Sequence, residues 1–354
     1  MKDILQVKNA GFDSKVVTLE NKETGDVKKF ILREFLHGDE EGIVACIKSE
    51  YGDTYFKRFF YDPRAFRERA EGTGFIFFVA ECDKRVAGIT ILRFFTGEGD
   101  DYIEPCSQII APEYRGYDLA KNLVEYIFAI AIDLNPSALF VRTNMYHNIV
   151  QHVCESYGMV PVGFEIGVFF RDAMKNSYPM GSPKKYSAGT LVYPVKKRDA
   201  GQIFLPVELK DYADFIYKKL GVTVEIKTEA ESCDTELHCK LMEEEPDRLN
   251  RYAAFIVRRY GQDLEEKLRE IMKKDEEMWT FLVVLPAENP DIIPTYKMLR
   301  SLGFFFGGLQ PVCGEHEYVY MYHVGDLELY MEEYVVTEAF GKIRDLINEY
   351  YRGR

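Results

Sequence analysis

The sequence predicts an α/β protein: a mixed, mostly antiparallel central sheet flanked by helices, followed by a second α/β domain. Three observations carry this. The chain has 354 residues, about two domains at ~150 residues each. Up to residue 110 it reads as one strand, two helices and three strands in meander. Residues 102–134, YIEPCSQIIAPEYRGYDLAKNLVEYIFAIAIDL, then read as a strand, a short loop and a helix. Hydrophobic residues make up 47% of the chain, so each half has the apolar surface to bury a core.

Residues 1–25 are polar and broken by Gly11 and Gly25, which fits an arm or an irregular first hairpin. Residues 27–36 alternate as a strand, and 39–51 suit a helix with acids at its start. Asp62-Pro63 opens a second helix through Arg69, with proline near the first helical position. Residues 75–81 are a strongly apolar strand, 83–85 turn it and 86–95 return, as a β-hairpin. A second turn at 97–101 leads into the strand 102–110, where Pro105 marks an edge, a bulge or a late start. Ala111, Pro112 and Glu113 break this strand, and 115–118 make a turn. From there Leu119, Leu123, Ile127, Ile130 and Leu134 recur at helical spacing. Asn135-Pro136 stops the helix, 138–143 is a buried strand, 148–157 a helix closed by Gly158, and 160–170 one or two strands.

Residues 171–187 are polar and turn-rich, which places the first domain at 1–172, a linker at 173–190 and the second domain at 191–354. In the second domain 191–193 and 203–205 are β-like, 209–220 helical and 222–227 extended. The patterns at 249–260 and 264–274 read as amphipathic or charged helices, and Glu243-Glu244-Glu245 as a solvated surface. A strand at 279–285, a helix at 296–302 and Gly303-Phe304-Phe305 repeat the strand, helix and Gly-aromatic close of 138–164. This is either a degenerate second copy or the common way an αβ unit closes.

A loop that turns from a strand into a helix leaves backbone N–H groups without partners, and these, with the helix dipole, attract a phosphate. The loop here is Pro112-Glu113-Tyr114-Arg115-Gly116-Tyr117-Asp118-Leu119-Ala120. It resembles the cofactor loop of the GNAT (N-acetyltransferase) superfamily, Gln/Arg-x-x-Gly-x-Gly/Ala after a strand ending in Pro-x-Tyr-Arg-Gly. Arg115 and Ala120 match, and Asp118 stands where the family has glycine. Without the resemblance, the same residues describe an ordinary βα turn with Asp118 as N-cap. The order of elements over 27–170 is also similar to that family. The segment 146–159 looks like its last helix, with His147 in the asparagine position, Val150 in the small-residue position and Cys154 where many members carry a catalytic tyrosine. Tyr157 lies three residues further on.

The resemblance implies an acyl-coenzyme A co-substrate, most simply acetyl-CoA, and an amine acceptor. Its pyrophosphate would sit on the backbone of Arg115, Gly116, Tyr117, Asp118, Leu119 and Ala120, with charge from Arg115 and Lys121. Its pantetheine arm would pair with Ile109, Ile110 and Ala111 like an added strand, and His147 belongs to the same implied cofactor set. Acyl transfer needs a base for the amine, a donor for the thioester oxyanion and an acid for the leaving thiolate. Glu104 is the candidate base, with Glu81 and Gln108 as other polar strand residues. A backbone N–H near Ile109 or Ile110 is the candidate oxyanion donor, and Cys154 and Tyr157 are the candidate acids. Each has a plain structural reading: Glu104 a solvated edge residue, Cys154 a small buried hydrophobe, Tyr157 a packing aromatic. Asp118, His147 and Cys154 equally suit a non-catalytic module of the same fold that senses acyl-CoA or serves as a scaffold.

The formal net charge of −13 argues against nucleic acid as a partner, since that binding draws on clustered Lys and Arg, and mildly favours basic acceptors such as polyamines or lysine side chains. No run of ~18 apolar residues suits a membrane span, and MKDILQVKNAGFDSK lacks the apolar region of a signal peptide. Seven cysteines with no CxxC pair read as reduced thiols of a cytoplasmic protein. Cys233, His238 and Cys239 lack a second ligand pair, so no metal is expected.

Overall fold

The computed structural model describes the chain apart from residues 54, 56, 98, 171–184, 197, 230–235 and 354, and describes only the backbone of residue 170. The described residues fall into two units, 1–141 and 142 onward. The fold is α/β, with mostly antiparallel strands flanked by helices.

In the first unit, α1 (Ile4–Ala10) is capped by Asp3, whose carboxylate accepts from the N–H groups of Leu5 and Gln6. Next, β1 (Lys15–Glu20) pairs antiparallel with β2 (Val27–Glu34), so residues 1–25 are a short helix and one arm of a hairpin. Two helices follow, α2 (Glu40–Tyr51) and α3 (Pro63–Glu71), the second capped by Asp62 with Pro63 at its first turn. The meander β3 (Phe75–Cys82), β4 (Arg85–Gly97) and β5 (Asp100–Ile110) completes an antiparallel order β1-β2-β3-β4-β5. Asp83 and Lys84, φ +49 and +61, make the two-residue turn whose twist matches a hairpin. The helix α4 (Leu119–Asp133) buries Leu119, Leu123, Val124, Ile127 and Ala131, and packs on β4 and β5. The core between α2, α3 and the sheet is aromatic: Phe66 lies 4.7 Å from Phe77 and 5.8 Å from Phe60, ring centre to ring centre. Such pairs add ~0.5–1.5 kcal/mol each beyond their burial. The strand β6 (Ala138–Asn144) begins in this unit and ends in the next.

The second unit contains α5 (Ile149–Ser156), β7 (Val160–Phe170), β8 (Lys185–Pro194), β9 (Gln202–Phe204), α6 (Lys210–Leu220), β10 (Glu225–Lys227), β11 (Lys240–Glu243) and β12 (Tyr252–Arg259). It continues with α7 (Leu264–Lys274), β13 (Thr280–Pro286), α8 (Ile292–Ser301), β14 (Phe305–Gln310), β15 (Tyr318–His323) and α9 (Glu338–Arg352). Strands run in the order β8-β7-β14-β15-β13-β12-β11, with β9 and β10 as a separate parallel pair.

The structure differs from the sequence expectation at two segments. Residues 249–260 are not a helix: Tyr252–Arg259 is a strand between β11 and β13, and 252–257 are buried without a break. A strand covered on both faces loses the two-residue alternation, and its continuous apolar run looks helical. The linker does not extend to residue 190. Positions 173–184 lie outside the described residues, while 185–190 are the buried start of β8, paired with β7. The small residues Ser187, Ala188 and Gly189 hide the strand: a Cβ on Gly189 would lie 2.7 Å from the ring of Phe340 on α9, so a helix presses on the strand there.

Equivalent glycines recur 145 positions apart. Gly158 and Gly303, φ +83 and +86, follow α5 and α8. Five residues later, Gly163 and Gly308, both φ +147, sit opposite each other where β7 and β14 pair. A Cβ on Gly163 would stand 2.5 Å from the Cα of Gly308, so the two strands meet at a point only glycine fits.

Candidate active site

The β5–α4 loop starts with a single 3-10 turn, Pro112–Tyr114, in which Tyr114 N–H donates to the Ala111 carbonyl (2.9 Å). The β1–β2 turn then braces the loop. Asn21 Nδ2 donates to Arg115 O (3.0 Å), Lys22 N–H donates to Gly116 O (3.1 Å), and Tyr117 OH donates to Asp26 (2.5 Å), which also pairs with Lys28 (2.7 Å). Gly116, φ +85, leaves room for that brace, since a Cβ there would lie 2.8 Å from the Asn21 amide. Leu119 anchors the first turn of α4 in the core, and Ala120 O accepts from Gln108 Nε2 of β5 (2.6 Å). The carbonyls are thus engaged. Among the described residues, the backbone N–H groups of Gly116, Tyr117, Asp118, Leu119, Ala120 and Lys121 have no hydrogen-bond partner. Six such donors at the positive end of a 15-residue helix favour an anion there.

Asp118 does not cap this helix. Its φ of +56 and ψ of +21 put it in the left-handed region that favours glycine, and its carboxylate pairs with Lys22 at 2.6 Å. Arg115 likewise points away from these donors: its guanidinium pairs with Glu50 and donates to the carbonyl of Ile110 (3.3 Å), tying the loop to the end of β5. Lys121 is exposed on the first turn of α4.

On β5, Ser107 has φ +53 and the register with β4 slips between Ile89 and Ile91, so the strand carries a β-bulge two residues past Pro105. The parallel pairing of β5 with β6 covers Tyr102 and Ile103 only, among the described residues. Among the described residues, Pro105 to Ile110 have no register partner on that side. Ala111 N–H donates to Ala87 of β4, so by strand alternation Ile110 N–H, rather than that of Ile109, faces the open side.

Polar side chains gather at the bulge. Glu104 is 4% exposed, lies opposite Arg93 in the β4 register and has a carboxylate oxygen 3.8 Å from its guanidinium. It is therefore not a solvated edge residue. Tyr55 OH (3.0 Å) and Lys57 Nζ (2.6 Å) both donate to Ser107 Oγ, and Lys57 Nζ lies 3.4 Å from Cys106 Sγ. With both lone pairs of Ser107 Oγ taken, its own proton remains to donate. Burial pushes the Tyr55 hydroxyl and the Cys106 thiol up, keeping both protonated, although Lys57 opposes the shift at Cys106. No local pattern in the sequence marks Tyr55, Lys57, Arg93, Cys106 or Ser107 individually. The usable signal was Pro105 followed by polar residues within a strand, which marks a bulge. Glu81 stands apart from this group, bonded through Arg33 (2.9 Å) to Asp39.

Cys154, Tyr157 and His147 belong to the second unit. Cys154 is 2% exposed and burial pushes its thiol up to about 12, the state of a packed core side chain. Tyr157 ends α5 and is half-buried. His147 lies with Nε2 3.4 Å from Asn144 Nδ2, and burial lowers its pKa. Cys233 lies outside the described residues, while His238 Nδ1 (3.0 Å) and Cys239 N–H (2.6 Å) both engage Asp263. Among the described residues no helix is long and apolar enough to cross a membrane.

Residues 41–159 match the acetyltransferase (GNAT) family. Similar solved structures include the ribosomal-protein-S18-alanine N-acetyltransferase of Escherichia coli, at 11% identity over 48% of this chain and 96% of that one, TM-score 0.38. An N-acetyltransferase from Staphylococcus aureus Mu50 gives 14% identity over 47% and 99%, TM-score 0.38. A mutant spermidine N-acetyltransferase from Vibrio cholerae gives 18% identity over 47% and 94%, TM-score 0.39. No curated protein matches the sequence.

Proposed function

The chain belongs to the GNAT superfamily through residues 41–159, and on that footing we propose that it moves an acyl group, most simply acetyl, from acyl-CoA to an amine by direct attack on the thioester. The observation that carries this reading is the set of six N–H groups of Gly116 to Lys121 without a partner among the described residues, in the loop that follows a strand whose register with β6 covers Tyr102 and Ile103 only. The first feature suits a pyrophosphate and the second an amide-bearing arm, and the two are consecutive in one loop.

The acyl-CoA supplies a thioester carbonyl and a thiolate leaving group. Glu104 takes the proton of the acceptor ammonium, directly or through one water. Ile110 N–H and the remaining Ser107 proton are the donors available for an oxyanion at the bulge. The thiolate takes its proton from water, and neither Tyr157 nor Cys154 is assigned a role: both belong to the second unit, and the buried thiol of Cys154 is a core side chain. We read the second half as a degenerate repeat of the same fold, on the matched glycines and the order strand, helix, strand, helix, strand in β12-α7-β13-α8-β14.

Calorimetry with acetyl-CoA, followed by a thiol-release assay with mixed amines, tests the proposal. Binding with turnover is expected. Glu104→Gln is expected to lower kcat by roughly 10²–10⁴-fold and leave acetyl-CoA affinity unchanged. Binding without turnover would make the domain a sensor, and absence of binding would overturn both readings.

A further inference from the structure

The second unit holds a pocket of ≈ 520 Å³, inside the ~300–1,000 Å³ range of small-molecule sites. Met278, Trp279 and Phe281 at the start of β13 form one wall. Leu327 and Tyr330, from the segment after β15, form the other. That second wall is preformed. Gly325, φ +52, allows the turn in which Leu327 N–H donates to Val324 O (3.0 Å), and Tyr351 of α9 bonds both Leu327 O (3.1 Å) and Leu329 N–H (3.3 Å). The chain's single tryptophan, Trp279, is half-buried here, with the Arg251 guanidinium stacked 4.8 Å from its ring centre. His323 packs its ring against those of Phe281 and Phe304, 6.3 and 5.3 Å away centre to centre.

Asp326 and Glu328 add two carboxylates to this apolar pocket. Among the described residues neither makes an ion pair, and Glu328 instead accepts from the Tyr330 hydroxyl. Aromatic walls with two acids that lack a cationic partner are complementary to one ligand chemistry, an ammonium carried on an apolar body. The acids attract its charge, the ring faces add cation–π attraction, and the methionine and leucine cover the body. We propose that this pocket is a binding site for an apolar organic cation, separate from the acyl-transfer site and independent of the transfer activity proposed above.

Benzyltrimethylammonium is a suitable probe, because its quaternary nitrogen has no proton to lose and cannot accept an acyl group. Binding to the full chain is followed by Trp279 emission and by calorimetry, with benzyl alcohol and phenylacetate as neutral and anionic controls. A saturable change is expected, with the cation at least tenfold tighter than either control. The Asp326→Asn, Glu328→Gln double variant should lose that preference with Tm unchanged, and each single variant should lose part of it. No saturable binding by either method, a cation no tighter than benzyl alcohol, or a preference that survives in the variants would overturn the proposal. Acetyl-CoA binding, measured on the same samples, reports separately on the transfer site.

Discussion

Asp118 concentrates two opposing effects in one residue. Its left-handed backbone costs ~1–2 kcal/mol for a side chain other than glycine, and its exposed pair with Lys22 returns at most ~1 kcal/mol. Asp118→Gly should therefore leave stability unchanged or raise it by up to ~2 kcal/mol. Because Lys22 already offsets the carboxylate beside the N–H groups at the start of α4, acetyl-CoA affinity should rise only about threefold. Lys22→Ala strips away that offset and should weaken affinity by about three- to tenfold, less at high salt. Calorimetry at two salt concentrations checks both variants, and a tighter Lys22→Ala protein would refute the argument. At the same scale, Lys185 is a buried ammonium site, 1% exposed, held by Thr280 Oγ1 at 2.9 Å. Burial lowers its pKa from 10.5 to about 7. The unfolded chain thus holds the extra proton between pH 7 and 10.5. This residue's contribution to stability should rise with pH across that window and be least favourable below pH 7. Lys185→Met should stabilise the protein at pH 6 by on the order of 2–4 kcal/mol, with the gain shrinking toward pH 10. Denaturant midpoints of both proteins across that range measure the difference.

Among the elements, the β7–β14 junction tests how far close packing dictates residue choice. Gly163 and Gly308 combine positive φ with an approach of 2.5–2.6 Å for any Cβ. Gly163→Ala should cost more than ~2 kcal/mol through strain and displacement of the partner strand. Gly201, φ +70 with nothing within 4 Å, is the matched control, and Gly201→Ala should cost only ~1 kcal/mol. Equal denaturation midpoints for the two variants would show that the contact is not what demands glycine. The elements also differ in how openly the sequence displays them. The hairpin of β3 and β4 was legible because each strand is flanked by turn residues. The burial of β12 on both faces removed its alternation, and Gly189 of β8 answers to Phe340, 151 positions away in the chain.

Over the whole molecule, the two halves handle their parallel strand pair differently. The β5–β6 pair keeps two register partners, whereas β12 and β13 keep five, from Tyr252 opposite Thr280 to Ile256 opposite Val284. A zipped pair offers no free edge to an added strand, so calorimetry should find one acetyl-CoA site per chain. A stoichiometry of two would mean that the second half also opens. By itself the sequence determined the fold class, the order of elements over 27–170 and the β5–α4 loop, because turn residues, helical spacing and a short motif are all local signals. It also placed Glu104 on β5. Only the tertiary structure decided that Asp118 faces Lys22, that Arg115 ties back to Ile110, and that Tyr55 and Lys57 meet Ser107 some 50 positions on. A contact between residues far apart in sequence leaves no periodic trace in either segment. It exists only once the bulge, the hairpin and the loop after α2 are packed against one another.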